Sequence, residues 1–413
     1  MKYTINTNDY LKFLPLFIIY IIICFIKQQD ILVGDEDDYL LYAENIINGF
    51  YADASHEYSY LWNGPGYPLF LAIFRLFNIS LVLAKLFNCI FLYIGIVYFY
   101  KTLKQIICKK KALYIAIALG LYYPLLVEAL PKLLTEALSF CLISLFAYSL
   151  FKYLTRKSKK HKWISSIVLG YLILTKIFFA YVVFGSLLII FPFLFYNKTQ
   201  KYVKQYSTIL FLGFCFTTPY LFYTYHETNK FFYYGNSGGM SLYWMSTPYE
   251  NESGDWHSFK TLESKPEIYK NHKSYIDSIK NLHPIDKDII LKKKAIHNIL
   301  NNKNKFFKNW LSNLGRLFFN YPYYLQKTDY KFFIYLIPKI LIFLSLFIAF
   351  FLNLKNFKKI SPFICSLGFF SILYLGGLSF LSSYPRFLHV ILPILLLWIS
   401  YTFNEFFSIK NLN

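Results

Sequence analysis

The sequence predicts an all-α polytopic membrane protein with about ten transmembrane helices, and three observations predict it. Of 413 residues, 56% are hydrophobic and 22% aromatic, and only 16% are charged, whereas a soluble globular chain is usually about 45–50% apolar and about 25% charged. Apolar runs of about 20 residues, enough to cross a bilayer, recur along the chain. Short lysine-rich segments separate many of them. This composition excludes a disordered or disulfide-stapled chain and argues against a soluble multidomain enzyme. The formal net charge of +21 requires no nucleic-acid partner, because lysines on the cytoplasmic loops of a protein embedded in a lipid bilayer account for it. Arginine is scarce, with 4 against 39 lysines. That ratio reflects a lysine- and asparagine-rich residue pool, so each arginine is more informative than each lysine.

The elements follow in order. The first apolar run, Phe13 to Ile26, has only Lys2 and Lys12 ahead of it and no small-residue cleavage site behind it, so a retained helix is expected. The Lys/Arg content places segments 1–12, 101–111, 152–162, 197–204 and 353–359 on the cytoplasmic side. Segment 27–64 has one lysine against eight acids and is placed outside. An odd number of crossings must then separate it from 101–111. One span near 79–100 satisfies this, leaving 66–77 (GYPLFLAIFRLF) as a helix along the outer interface. Residues 27–78 thus form an acidic first outer loop with interfacial helices. The 112–151 run lies between two cytoplasmic segments and is expected to be a hairpin turning near Glu128–Glu136. The 163–196 run is bounded the same way. As one helix, its 34 residues would be about 51 Å long against about 30 Å of hydrocarbon, so two short helices turning at Lys176 are expected. A span near 205–224 leads to a long polar outer loop, 225–331, and spans near 332–352, 360–381 and 387–404 follow. Both termini are cytoplasmic in this scheme, and 1–413 is a single integral membrane domain. In the polar loop, Ile289, Ile290, Ile296, Ile299 and Leu300 have helical spacing, and the Asn/Lys cluster at 301–305 is expected to break that helix. Cysteines in CxxC and histidines in HxxxH or HExxH patterns do not occur, so neither a zinc site nor a disulfide framework is indicated.

The sharpest feature is GDEDDYLLYAENIINGFY, Gly34 to Tyr51. Four consecutive acids open a stretch in which Tyr39, Tyr42, Ala43 and Ile46 share one helix face. Asp35 to Asp38 at the helix N-cap and first turn are favoured by the helix dipole, but one capping acid would suffice. Four at a membrane surface also offer a general base or an Asp35-x-Asp37 pair that could hold a divalent cation. No cofactor is otherwise required. The loop ends in WNGPGYPLF, whose Gly64-Pro65-Gly66 forces a turn. Glu136, in an otherwise apolar hairpin, is costly unless it faces protein or water.

These residues resemble the polyprenol-dependent glycosyltransferases of the GT-C fold, the superfamily of protein O-mannosyltransferases and lipid A aminoarabinose transferases. The similarity lies in the outer-loop DExxY (Asp35-Glu36-Asp37-Asp38-Tyr39) followed by Ala43, in the GPGYP-type segment with Tyr67, and in Pro131-Lys132-Leu133-Leu134-Thr135-Glu136 at the hairpin turn. Fainter echoes are Lys176, the 286–322 stretch ending in Tyr321-Pro322-Tyr323, and Tyr384-Pro385-Arg386. The resemblance implies a GT-C-like fold and inverting transfer of a sugar from a polyprenyl-phosphate donor to an acceptor (glycan, lipid or protein) at the extracytoplasmic face, in a bacterial inner membrane. It makes Asp35 the base, with Glu36 beside it and Glu136 as a second acid near donor or acceptor. Tyr39 and Tyr67 become substrate-binding candidates. Asp38 stands where the aminoarabinose transferases carry a basic residue. Lys132, Lys176 and Arg386, at outer helix ends, are therefore the candidates to face the donor phosphate. Two other readings fit a polytopic chain with a large outer loop. An envelope polysaccharide polymerase or ligase would lean on arginines in that loop, where only Arg316 occurs. A lipid-linked-sugar transporter or flippase would place ionisable groups along a mid-membrane path.

Overall fold

The computed structural model describes residues 8–27, 32, 34–53, 60–195, 200–259, 265–321 and 331–407. Helices α1 (Asn8–Leu11) and α2 (Leu14–Lys27) precede the acidic helix α3 (Asp35–Ile47) and the amphipathic α4 (Gly66–Leu76). Ser80 caps α5 (Leu81–Leu103) by accepting from the Val82 amide at 3.3 Å. The expected hairpin consists of α6 (Lys109–Gly120) and α7 (Tyr123–Ala129), bent by 47° where Pro124 opens the second piece, and then α8 (Glu136–Arg156). Helix α9 (Lys159–Thr175) stops at Lys176 and α10 (Phe178–Ile190) begins at once, continuing as a 3-10 turn, Phe191–Phe195, as the length argument required. The single span expected at 205–224 is instead two helices, α11 (Gln200–Phe216) and α12 (Thr218–Thr228). Pro219 supplies no amide to continue the ladder, and the Thr217 hydroxyl donates to the Phe214 carbonyl at 2.7 Å.

The polar segment carries α13 (Gly238–Met245), α14 (Pro266–Ile279), α15 (Pro284–Asn301) and α16 (Lys303–Phe319). The break between the last two falls at Asn302, within the Asn/Lys cluster expected to interrupt the helix. Then come α17 (Lys331–Lys355), α18 (Pro362–Ser379) and α19 (Arg386–Phe407). Pro322 and Tyr323 of the YPY echo lie outside the described residues, as do residues 1–7 and 197–199 of two basic segments.

The core is built on α8, which packs against α5, α9 and α19, while α11 packs on α9 and α18 on α19. Among the described residues, six helices are long and apolar enough to cross a membrane, or seven if the bent α6–α7 pair is one broken span. A helix stands wherever a crossing is expected, but the count of about ten exceeds what length and apolarity support. The reason is local: α2 has only 14 residues, α9 and α11 carry lysines near their starts, and α11 ends at the Thr217 break. The chain is a multi-pass, all-α membrane protein.

Candidate active site

Gly34 is the N-cap of α3, with φ 67°, and no side chain caps the helix. The four acids instead occupy the first turn, where the helix dipole favours them, and the 100° rotation per residue sends them to different places. Asp35 faces a cavity and pairs with the Arg386 guanidinium. Glu36 is buried and accepts from the Leu133 amide at 2.7 Å. Asp37 is exposed and Asp38 half-buried. Residues two apart on a helix diverge, so Asp35 and Asp37 do not converge as a chelating pair. Among the described residues no three His, Cys, Asp or Glu side chains gather as metal ligands.

Glu136 begins α8 with its side chain 1% exposed, and its Oε1 lies 3.0 Å from Lys176 Nζ and 3.7 Å from Arg386 Nε. Asp35, Arg386, Glu136 and Lys176 thus form a chain of two acids and two cations with no net charge, which is how ionic groups are tolerated in a low-dielectric setting. Each comes from a different part of the sequence, and each is held by a local device. Glu36 and the Asn88 amide, which donates to the Lys132 carbonyl at 2.7 Å, fasten the non-helical 130–135 turn ahead of Glu136. Lys176 sits in the break between α9 and α10. Pro385 precedes Arg386 and forces α19 to start there. The GPGYP glycines do more than turn the chain. A Cβ on Gly64 would stand 2.2 Å from the Leu174 carbonyl oxygen, and one on Gly66 would stand 2.6 Å from the Thr175 amide. Only glycine lets this segment lie against the end of α9, where Tyr171 also donates to the Gly66 carbonyl at 2.8 Å.

The cavity beside the cluster measures about 200 Å³. Asp35, Tyr39, Lys176 and Arg386 line it. Glu36, Glu136, Tyr67 and Lys132 do not: the first two fasten the structure around it, and Tyr67 is fully buried behind Tyr39, ring centroids 5.3 Å apart. Lys132 contributes its carbonyl to the Asn88 contact. Trp62, Asn63, Ser237, Ser241, Trp256 and Tyr384 also line the cavity. Sequence reasoning passed over most of these, since single aromatics and serines carry no signal in a chain that is 22% aromatic. Trp62 and Asn63 were the findable ones, adjoining the GPGYP turn. Arg316, on which a polymerase reading would lean, is not at the cavity. It is 2% exposed, reaching the carbonyls of Ser253 at 2.8 Å and Gly254 at 3.0 Å and the Asp255 carboxylate at 2.6 Å.

The model of the family described as Dolichyl-phosphate-mannose-protein mannosyltransferase matches residues 63–237, less than half of the chain. That stretch contains the GPGYP turn, the 131–136 turn and Lys176, but neither Asp35 nor Arg386. No curated protein sequence matches. Among solved structures, ArnT from Cupriavidus metallidurans bound to undecaprenyl phosphate is similar with a TM-score of 0.45 at 12% identity, over 94% of this chain and 78% of that one. In the motifs of its sequence and over residues 63–237, the chain is similar to the polyprenyl-phosphate-sugar-dependent glycosyltransferases of the GT-C fold.

Proposed function

We propose that the chain is a membrane glycosyltransferase that moves a sugar, with inversion, from a polyprenyl-phosphate-linked donor to an acceptor hydroxyl at the extracytoplasmic face of a bacterial inner membrane. The topology that goes with this reading has ten crossings and both termini inside. The observation that carries it is the Asp35–Arg386–Glu136–Lys176 chain beside a cavity that Asp35, Arg386 and Lys176 line. The family match over 63–237 supports it.

The chemistry needs a base on one side of the anomeric carbon and cations on the other. The acceptor oxygen attacks that carbon and its proton passes to the Asp35 carboxylate. The bond from the carbon to the phosphate oxygen breaks, and the electron pair leaves with the polyprenyl phosphate. Charge developing on the phosphate is met by Arg386, whose planar guanidinium suits a phosphate edge, and by the Lys176 ammonium. Glu136, out of the cavity, holds both cation heads where the phosphate arrives. Arg386 pairs with Asp35 until the donor phosphate competes for it, which frees the carboxylate for the acceptor.

The test sets transfer against transport. The full chain is reconstituted in vesicles with radiolabelled polyprenyl-phosphate sugars and extracted envelope glycan, lipid and protein acceptors. Label should move to an acceptor with release of one polyprenyl phosphate per sugar. Label crossing the bilayer on an intact lipid would favour a flippase and contradict the reading.

A further inference from the structure

The cavity has a second, uncharged half, and its chemistry differs from that of the charged half. Trp62 and Trp256 meet at 6.3 Å with their rings 70° apart, and Trp256 meets Tyr384 at 6.3 Å and 57°. All three are half-buried and line the cavity. Around them stand Ser237, Ser241 and Asn63, whose amide nitrogen has no hydrogen-bond partner among the described residues. Tyr384 joins the two halves, its ring 5.3 Å from the Arg386 guanidinium.

The geometry points to this aromatic half as the seat of the donor's sugar ring, with Trp256 as the residue that sets which sugar is accepted; the inference rests on the glycosyltransferase reading above. A pyranose has apolar C–H faces that suit the negative face of an aromatic ring, and hydroxyls at its edge that require donors and acceptors. A lipid tail would use none of the serine or asparagine groups, and among the described residues a phosphate would find no cation in this half. A sugar bonded to a phosphate at Arg386 lies next to Tyr384 by necessity. The cavity of about 200 Å³ suits one such ring.

The platform is also rigid, and a preformed site binds without an ordering cost. Trp256 follows the 253–255 turn that Arg316 holds, and Gly254 there has φ 75°, a conformation that favours glycine. Tyr384 follows a turn held by Asn313, which donates to the Ser379 and Leu381 carbonyls at 2.8 and 2.7 Å and accepts from the Ser383 amide at 2.9 Å. Ser382 links the two turns by donating to the Gly254 carbonyl at 3.0 Å. One helix, α16, therefore sets the spacing of both rings.

The experiment measures binding of undecaprenyl phosphate, bare or carrying mannose, glucose, galactose or arabinose, to the purified full chain and to its Trp256→Ala and Trp256→Phe variants. The unaltered protein should prefer one sugar-bearing lipid over the bare lipid by about tenfold or more. Trp256→Ala should lose that preference to within about twofold and keep its affinity for the bare lipid, while Trp256→Phe should retain part of the preference and change the ranking of sugars. An undiminished preference in Trp256→Ala would overturn the proposal. So would an equal loss for bare and sugar-bearing lipids, which marks a structural role. If the unaltered protein binds none of the lipids, the glycosyltransferase reading itself falls, and the proposal with it.

Discussion

Glu136 shows how much of the site depends on one buried charge. Its carboxylate is shared by Lys176 and Arg386, and it does not touch the cavity. Removing one member of a buried ionic cluster typically costs about 3–5 kcal/mol, because the remaining charges lose their partner without regaining water. Glu136→Ala should therefore lower stability by about that amount in chemical unfolding of the detergent-solubilised protein. Glu136→Gln, which keeps the shape and one acceptor, should cost less but still lower donor affinity, since the cation heads are no longer held. A Glu136→Ala protein of unchanged stability would contradict the cluster as described.

At the scale of elements, the GPGYP turn and the end of α9 form one joint. Gly66→Ala places a methyl within 2.6 Å of the Thr175 amide and hydroxyl, and overpacking of this kind costs about 1–3 kcal/mol. The joint carries Lys176, so the variant should lose transfer activity out of proportion to its loss of stability, as a comparison of kcat with the unfolding midpoint would reveal. The polar segment offers a pH-dependent prediction. The His257 imidazole is held down to about 4, by burial first and then by the Lys265 ammonium, 3.1 Å from its Nδ1; Glu252 acts in the opposite direction. An exposed histidine takes up its proton near about 6.5. As pH falls from about 6.5 towards 4, the unfolded segment binds a proton that the folded one refuses, and stability falls. Above about 6.5 the contribution is complete. Urea unfolding followed by tryptophan fluorescence across pH 4–8 should show this slope, and His257→Gln should flatten it.

For the whole molecule, much of the plan was legible in the sequence because membranes impose few solutions. Apolar runs, lysine asymmetry and parity located the hairpin turn near Glu136, the break at Lys176 and the start of α19. What could not be read was which distant residues meet. Nothing in the spacing of Asp35 and Arg386, 351 positions apart, announces an ion pair. Glu36 read as a neighbour of the base, whereas its burial against the Leu133 amide depends on a tertiary contact. Capping by the acids was a fair local inference, but Gly34 with a positive φ took that position. Among the described residues, length and apolarity support six or seven of the ten crossings expected, because a mean over an apolar run conceals lysines at a helix start and a break at Thr217.

The most direct test of the central claim is the transfer rate of Asp35→Asn beside the unaltered protein, with the same donor and acceptor in the same membranes. Asparagine keeps the size of the side chain and can still accept from Arg386, but it cannot take the acceptor's proton. Loss of general-base catalysis of this kind is worth about 10²–10⁴-fold in rate, so transfer should fall into that range with the protein folded and the donor still bound. Transfer at the full rate would contradict the assignment of Asp35 and, with it, this account of the site.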